Sequence, residues 1–336
     1  MDSVTHLVLG AAIGEVMLGK KLGNKAMLLG ALANTIPDFD VAYSLFNNDE
    51  IKNFVFHRSY THSILAIILV PFLVAWLSEQ WSDKPITYKQ WYWFWFAGMI
   101  THVSIDCCTT YGTKIFTPFS NYQVAFNNLS IIDPVYTIPF LLLVLAGLFA
   151  SRNKPLKRKL VWAGIGISSA YLFATFFIKL NVHNKFKESL HQQNIAYDEL
   201  NTTPTILNGI LWSANAYTDS MLYIAEYSYM KKETPITWSG FKRNLRSIKN
   251  FDCDAMKSMV WFADGNYFVE RQGNDTLVFY NAKWGKMRYD NVINAQDAFI
   301  FYALFYKENG EIKHKQVEKD WKFNEALKVL MDRIGI

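Results

Sequence analysis

The chain has 336 residues, enough for two domains, and 51% of them are hydrophobic against 19% charged. A net charge of +5, dispersed along the chain, excludes the concentrated basic footprint of a nucleic-acid binder. Three cysteines without a CxxC pair exclude a zinc ribbon and a disulfide framework. Mean hydropathy is near zero although half the residues are apolar, so apolar and polar stretches must be segregated.

The chain opens Met1-Asp2-Ser3, acidic rather than basic, and no small-residue cleavage pattern follows the apolar run 7–18. This segment is expected to be retained rather than removed as a signal peptide. Segments 5–19 and 26–36, rich in Gly and Ala, read as two short, closely packed membrane helices or a re-entrant pair. Four later segments read as spanning helices: 63–78, 91–106, 131–150 and 160–178. Trp76, Trp81, Trp91, Tyr92 and Trp93 at their ends belong in the interfacial aromatic belt. Pro139 is expected to kink the third of them.

Loop charges set an orientation. Lys20, Lys21 and Lys25, then Lys84 and Lys89, then Arg152, Lys154, Lys157, Arg158 and Lys159 fill three alternate loops, which the positive-inside rule places in the cytoplasm. Loops 37–62 and 107–130 carry only Lys52, Arg58 and Lys114 and fall outside. His6, Asp38, His57, His62, His102 and Asp106 then share the external side. Charge bias and ligand clustering are independent, and they agree.

Beyond residue 180 the composition changes. Residues 183–205 begin helical and continue as a linker ending at Pro204. Alternating stretches follow, including "MVWFADGNYFVERQ" and "DTLVFYNAKWGKMRY", separated by turn signals at Asp264-Gly265, Gly273-Asn274 and Asn309-Gly310. They read as one antiparallel sheet closed by an amphipathic helix over 319–333, with its aromatic stripes forming the core. The expected fold is therefore an α-helical membrane domain over 1–180, with about four spanning helices plus two short N-terminal ones. A soluble, extracytoplasmic α+β domain with an antiparallel sheet follows over 181–336. No internal repeat is evident.

Imidazoles and carboxylates beside apolar helices need partners or a metal. His102 and Asp106, spaced i and i+4, share one helix face and can grip one ion. His57 and His62 bracket "RSYT" at a loop-to-helix entry, where Thr61 or Ser63 can cap the helix. Asp38 in "IPDFD" is a ligand or a bridging carboxylate. Asp40 is a second ligand or a partner that holds a histidine tautomer. Arg58 is either an anion-binding guanidinium beside the metal, suited to phosphate, or an interfacial cation on lipid headgroups. Asp133 is expected to cap the third spanning helix or reach the site. Cys107 and Cys108 read as small buried residues beside Asp106. Loop 111–121 lies over the site, with Lys114 near the membrane surface, and His183, His191 and His314 read as exposed.

The stretches "MDSVTH", "LLGALANTIPDFD", "HRSYTHS" and "THVSIDCCTTYGTKIFTPFS" resemble, in this order, the motifs of the YdjM-like family of membrane-bound metal-dependent hydrolases, over about residues 1–180. The resemblance implies metal-binding positions at His6, Asp38, His57, His62, His102 and Asp106, and hydrolase activity without a named substrate. The sequence reading is an inner-membrane hydrolase holding one or two divalent ions, zinc by ligand type. Asp38, Asp40 or Asp106 would accept the proton, and a lipid or lipid-linked phosphoester would be the substrate. The rival reading is a metal-stabilised membrane scaffold whose external domain binds a partner. A transport relay is disfavoured by the scarcity of polar residues in 63–78 and 160–178.

Overall fold

The computed structural model of the chain describes residues 1–150, 155–286, 298–299, 301–317 and 323–336. The expectations for Arg152, Lys154 and residues 287–289 and 318–322 lie outside the described residues. The chain divides into two compact units. One holds Met1–Phe46 and Phe56–Phe177, and the other holds Asn47–Val55 and Ile178–Ile336. The division near 178 lies close to the expected one, but nothing in the sequence pattern signals that Asn47–Val55 belongs to the second unit.

The first unit is helical: α1 (Ser3–Leu22), α2 (Asn24–Thr35), a 3-10 turn (Pro37–Leu45), a shorter one (Tyr60–His62), α4 (Ile64–Trp81), α5 (Tyr88–Cys107), α6 (Pro134–Phe149) and the first part of α7 (Pro155–Gln192). A short α3 (Glu50–Phe56) comes between the two 3-10 turns in sequence but belongs, through Val55, to the second unit. The helix starts follow local chemistry. Ser63 Oγ accepts from Ala66 N at 3.1 Å to cap α4. Thr87 and Gln90 form a capping box on α5. Asp133 accepts from Val135 N and Tyr136 N at the head of α6, and does not reach the site described below. α6 runs on through Pro139.

α1 and α2 touch backbone to backbone. A Cβ on Gly14 would stand 1.9 Å from Ala26 O, and one on Gly30 would stand 2.1 Å from Gly10 O. Glycine is therefore required there, as in membrane helix pairs that approach on small residues. A Cβ on Gly98 would meet Ala33 at 2.6 Å, so α5 seats against α2 in the same way. Lys157, one of the expected cytoplasmic loop charges, lies on α7, where it is buried and pairs with Glu15 of α1 at 2.9 Å.

Of the expected spans, α4 and α7 are long and apolar enough to cross a membrane, and α6 is apolar but only 16 residues long. The 160–178 span extends at both ends because α7 is a single helix of 38 residues. Trp76, Trp81 and Trp93 are exposed as expected of a belt, but Trp91 is only 3% exposed.

The second unit contains two antiparallel four-stranded sheets rather than one. The first comprises β1 (Glu199–Pro204), β2 (Leu211–Tyr217), β3 (Met221–Ser228) and β4 (Ser239–Lys242). The second comprises β5 (Tyr267–Gln272), β6 (Thr276–Asn281), β7 (Phe301–Glu308) and β8 (Glu311–Val317). β1 occupies part of the expected linker, pairing Glu199 with Tyr217 and Pro204 with Trp212, so Pro204 ends a strand instead. "MVWFA", expected as a strand, closes helix α8 (Asp254–Ala263). Ala255, Met256, Met259, Phe262 and Ala263 are its buried face, a helical and not a twofold spacing. Asp264-Gly265, both at positive φ, leads from that helix into β5 rather than forming a hairpin. Asn309-Gly310, also at positive φ, makes the two-residue β7–β8 hairpin that its sequence signals. Helix α9 (Phe323–Ile334) closes the unit. His183 and His314 are half-buried and lie 3.1 Å from Thr202 Oγ1 and 3.2 Å from Asp49 Oδ1, so only His191 is exposed as expected.

The α1–α2 contact yields a stability prediction. Gly14→Leu should lower the thermal unfolding midpoint in detergent by several degrees, because overpacking costs about 1–3 kcal/mol or more. Gly166→Ala on α7, where a Cβ meets nothing within 4 Å, should be neutral or slightly stabilising.

Candidate metal centre

Four ends of the first unit's helices converge. His6 is near the start of α1, Asp38 and Asp40 follow α2, His62 precedes α4, and His102 and Asp106 occupy the last turns of α5. Asp38, His62, His102 and Asp106 bring one ligand atom each within 4.8 Å of all the others. The Nε2 atoms of His62 and His102 are 3.2 Å apart. Each lies 3.3–3.5 Å from both Asp38 Oδ1 and Asp106 Oδ2. A regular tetrahedron with ligands about 2.0–2.1 Å from its centre has edges of about 3.3–3.4 Å. The imidazole–imidazole and imidazole–carboxylate separations therefore match the edges of such a site, and the whole set is compatible with one metal ion. His62, His102 and Asp106 are fully buried, and Asp106 Oδ2 has no hydrogen-bond partner among the described residues. A buried carboxylate oxygen without a donor is costly, and a cation at this point removes that cost.

The geometry of the imidazoles is set from behind. Asn34 O lies 2.5 Å from His102 Nδ1, which fixes the N–H there and turns the Nε2 lone pair inward. The Asn34 side chain does the same for His6 (Nδ1 to Oδ1, 3.3 Å), while its own amide donates to Gly98 O and Thr101 Oγ1. The Nδ1 of His62 faces Thr61 Oγ1 at 3.1 Å and Asp40 Oδ2 at 3.4 Å. Such backing groups orient metal-ligating histidines and raise their basicity.

Asp106 is used on both sides. Its Oδ1 receives the Met1 amine, lies 3.0 Å from an Arg58 guanidinium nitrogen and 3.3 Å from His6 Nε2. His6 stacks on His102 with ring centroids 3.7 Å apart. His6 thus touches the centre through Asp106 and stands outside the four-atom set. Arg58 also donates to Thr109 Oγ1 at 2.8 Å and lies over the Tyr111 ring. Its backbone is left-handed, φ 61°, a conformation that a non-glycine residue adopts only when its surroundings compel it. Arg58 is buried, so the reading of it as an interfacial cation on headgroups is corrected: its charge is matched to Asp106. Lys114, expected near the membrane surface, is buried too. Its backbone N–H donates to Arg58 O, and burial pushes its ammonium down to about 8 against the pull of Asp40. Cys107 and Cys108 are buried, as expected, and belong to neither ligand group.

A second group adjoins the first. Asp38, Asp40 and His57 also bring ligand atoms within 4.8 Å of one another, and Asp38 belongs to both sets. His57 Nδ1 lies 2.8 Å from Asp40 Oδ1, while Asp40 Oδ2 accepts from Arg58 N and Thr61 Oγ1. The side chains of Asp38 and His57 are 22% and 25% exposed, so this group opens outward. Burial favours protonated Asp38, yet His102 and His62 hold its carboxyl well below the usual carboxylate range. Burial likewise opposes charge on His62, but the hydrogen-bonding carboxylates of Asp106, Asp38 and Asp40 outweigh it and pull His62 up to about 10.

All six sequence-predicted ligands, together with Asp40 and Arg58, meet here. Asn34, Thr109 and Tyr111 were missed. For Asn34 the available signal was a polar side chain inside an Ala/Gly-rich helix.

Fold and site together define a protein with a helical first unit that carries a His/Asp cluster compatible with a metal site at one end of its helices. The chain belongs to the YdjM inner membrane protein family, whose model matches residues 1–182, and it is thus a membrane protein. It is also 27% identical over 210 residues to the uncharacterized protein YfhP of Bacillus subtilis (strain 168). That match covers 60% of this chain and 59% of the relative, so the chain spans about three fifths of the relative's length. No solved structure matches.

The geometry predicts two binding responses. A metal must displace the His62 proton, so apparent affinity should rise about tenfold per pH unit per proton released, up to pH about 10, in chelator-competition titrations. Asn34→Leu keeps every ligand but removes the amide that holds His6 and bridges to α5. It should weaken metal binding about 10–100-fold by the same titration.

Proposed function

We propose that this chain is a metal-dependent hydrolase of the inner membrane that works with two zinc-class ions and acts on a lipid or lipid-linked phosphoester. The observation that carries the reading is the sharing of Asp38 between a closed ligand group and an open one. The buried group, Asp38, His62, His102 and Asp106, fills four positions with protein, as structural sites do. The outer group supplies only Asp38, Asp40 and His57, which leaves room for water and substrate. Neutral imidazoles and carboxylates favour zinc over magnesium or calcium.

A divalent ion bound at the outer group supplies Lewis acidity, polarising the scissile group and acidifying water. The protein's own part is orientation and charge. Asp40, gripped by Arg58 N–H and Thr61 O–H, holds His57 on one side and faces His62 on the other. Asp38 is the most exposed carboxylate of the centre and is shared by the two groups, with Asp40 holding His57 beside it. Arg58 is a positioning residue whose guanidinium neutralises Asp106.

The lipid assignment rests on the segment that carries Asp38 and Asp40. It exposes Phe39, Val41, Leu45 and Phe46, the last at 88%, an apolar rim suited to the acyl region next to headgroups. Loop charges support an extracytoplasmic position for the centre and the second unit, with four spans as the corresponding topology. The closed inner group also favours the scaffold reading, in which an ion only ties helices together.

The test is metal content with turnover. Full-length protein in detergent should carry two zinc ions per chain by mass spectrometry, His57→Ala one, and Asp38→Asn fewer than one. Metal-loaded protein should release headgroup or diacylglycerol from bacterial lipid extract, and His57→Ala should lower the rate at least 100-fold. One non-exchanging ion, with no turnover of phospholipids or isoprenoid phosphates, would establish the scaffold instead.

A further inference from the structure

At the opposite ends of α1, α2, α4 and α5 from the metal centre lies a cavity of about 800 Å³. α4 alone separates the two ends by about 27 Å, its 18 residues rising about 1.5 Å each. The volume falls within the range of about 300–1,000 Å³ typical of small-molecule pockets.

The walls have two characters. Leu29, Leu32, Val74 and Leu77 form an apolar side, and Trp81 stands at the mouth, 86% exposed. The lining also carries Lys21, Lys25 and Lys84 with a single acid, Asp83. Lys21 is held in place by Pro85 O at 2.7 Å and Gln90 Oε1 at 2.8 Å, both uncharged. None of the three lysines is in an ion pair among the described residues, so the excess positive charge is unmet within the cavity.

A second observation points the same way. Trp91 and Trp95 both line the cavity. The indole N–H of Trp95 donates to Ser78 Oγ at 2.9 Å, but that of Trp91 has no acceptor among the described residues although Trp91 is buried. A buried N–H without an acceptor is rare and costly. Three unpaired ammonium groups and an idle N–H beside an apolar wall call for one molecule with anionic oxygens at one end and hydrocarbon at the other.

We propose that this cavity is a binding site for a phospholipid with an anionic headgroup, its phosphate among Lys21, Lys25, Lys84 and the Trp91 N–H and its acyl chain along Leu29 and Leu77. The site is distinct from the metal centre, and the proposal does not rest on hydrolase activity. It draws only on family membership as a membrane protein and on the cavity's own chemistry.

Native mass spectrometry of the full-length protein in detergent tests it, with phosphatidylglycerol and phosphatidylcholine of identical chains as probes. Phosphatidylglycerol should bind at least tenfold more tightly. Lys25→Gln with Lys84→Gln, two exposed side chains with no hydrogen bond of their own among the described residues, should lower its affinity by about fivefold per lysine. Trp91→Phe keeps the ring packing and should lower it about three- to tenfold. Phosphatidylcholine binding should be unmoved by the lysine pair, and metal content should be unchanged in all variants. Equal binding of the two lipids, or undiminished phosphatidylglycerol binding in the lysine pair, overturns the proposal. Displacement of the lipid by inorganic phosphate alone also overturns it and identifies a soluble-anion site.

Discussion

Asp106 is a carboxylate with no access to water, at the point where four helix ends converge. An isolated buried charge of this kind costs several kcal/mol, so the surroundings must supply positive charge from fixed directions. On Oδ1 that charge comes from Arg58, with the Met1 amine and His6 beside it. On Oδ2 no hydrogen-bond partner is present among the described residues, and the Nε2 atoms of His62 and His102 face it at 3.4 and 3.3 Å. Much else in the first unit serves this carboxylate. The backbone contact of α1 with α2 brings His6 and Asn34 level with it, and the left-handed turn at Arg58 delivers the guanidinium. A larger residue at Gly14 or Gly30 would act on the centre without touching it.

The His/Asp cluster was legible in the sequence because its residue types are costly in an apolar setting. A histidine or aspartate beside an apolar helix stands out one residue at a time, and the i, i+4 pair of His102 and Asp106 follows from helix geometry alone. The backing groups were not legible. Asn34 acts through its carbonyl and amide on two imidazoles from other parts of the chain. Neither its type nor its spacing says so until α1, α2 and α5 are packed. Arg58 presented two equal readings for the same reason: a cation at a membrane edge and a cation buried on a carboxylate look alike in one dimension.

In the second unit the errors have a different origin. "MVWFA" is apolar without a break, so twofold and helical periods both describe it, and only Ala255 and Met256 upstream extend the helical one. Glu199–Pro204 is polar and ends in proline, which suggests linker. Yet among the described residues it is paired along one side, as the edge strand next to β2, where proline is tolerated. The turn dipeptides served better where they closed a hairpin, as Asn309-Gly310 does, than where they followed a helix, as Asp264-Gly265 does. A positive-φ pair specifies the bend but not the elements on either side of it.

The first unit's helices are polarised end to end. One end gathers carboxylates and imidazoles, the other lysines and tryptophans, and the apolar length between them is about that of a hydrocarbon core. At the carboxylate end, the contrast between the two ligand groups decides what chemistry is open. Three of the four inner groups are wholly buried, and an ion there has no approach for a substrate except past Asp38. Asp38 is the one member common to the two groups and the partly exposed member of the inner one. Metal site and apolar rim converge on it, since the turn that presents Asp38 also exposes Phe39, Val41, Leu45 and Phe46. On the proposed reading, that rim is where an amphiphile from the membrane would reach the open group, a feature that a tether between helices does not need.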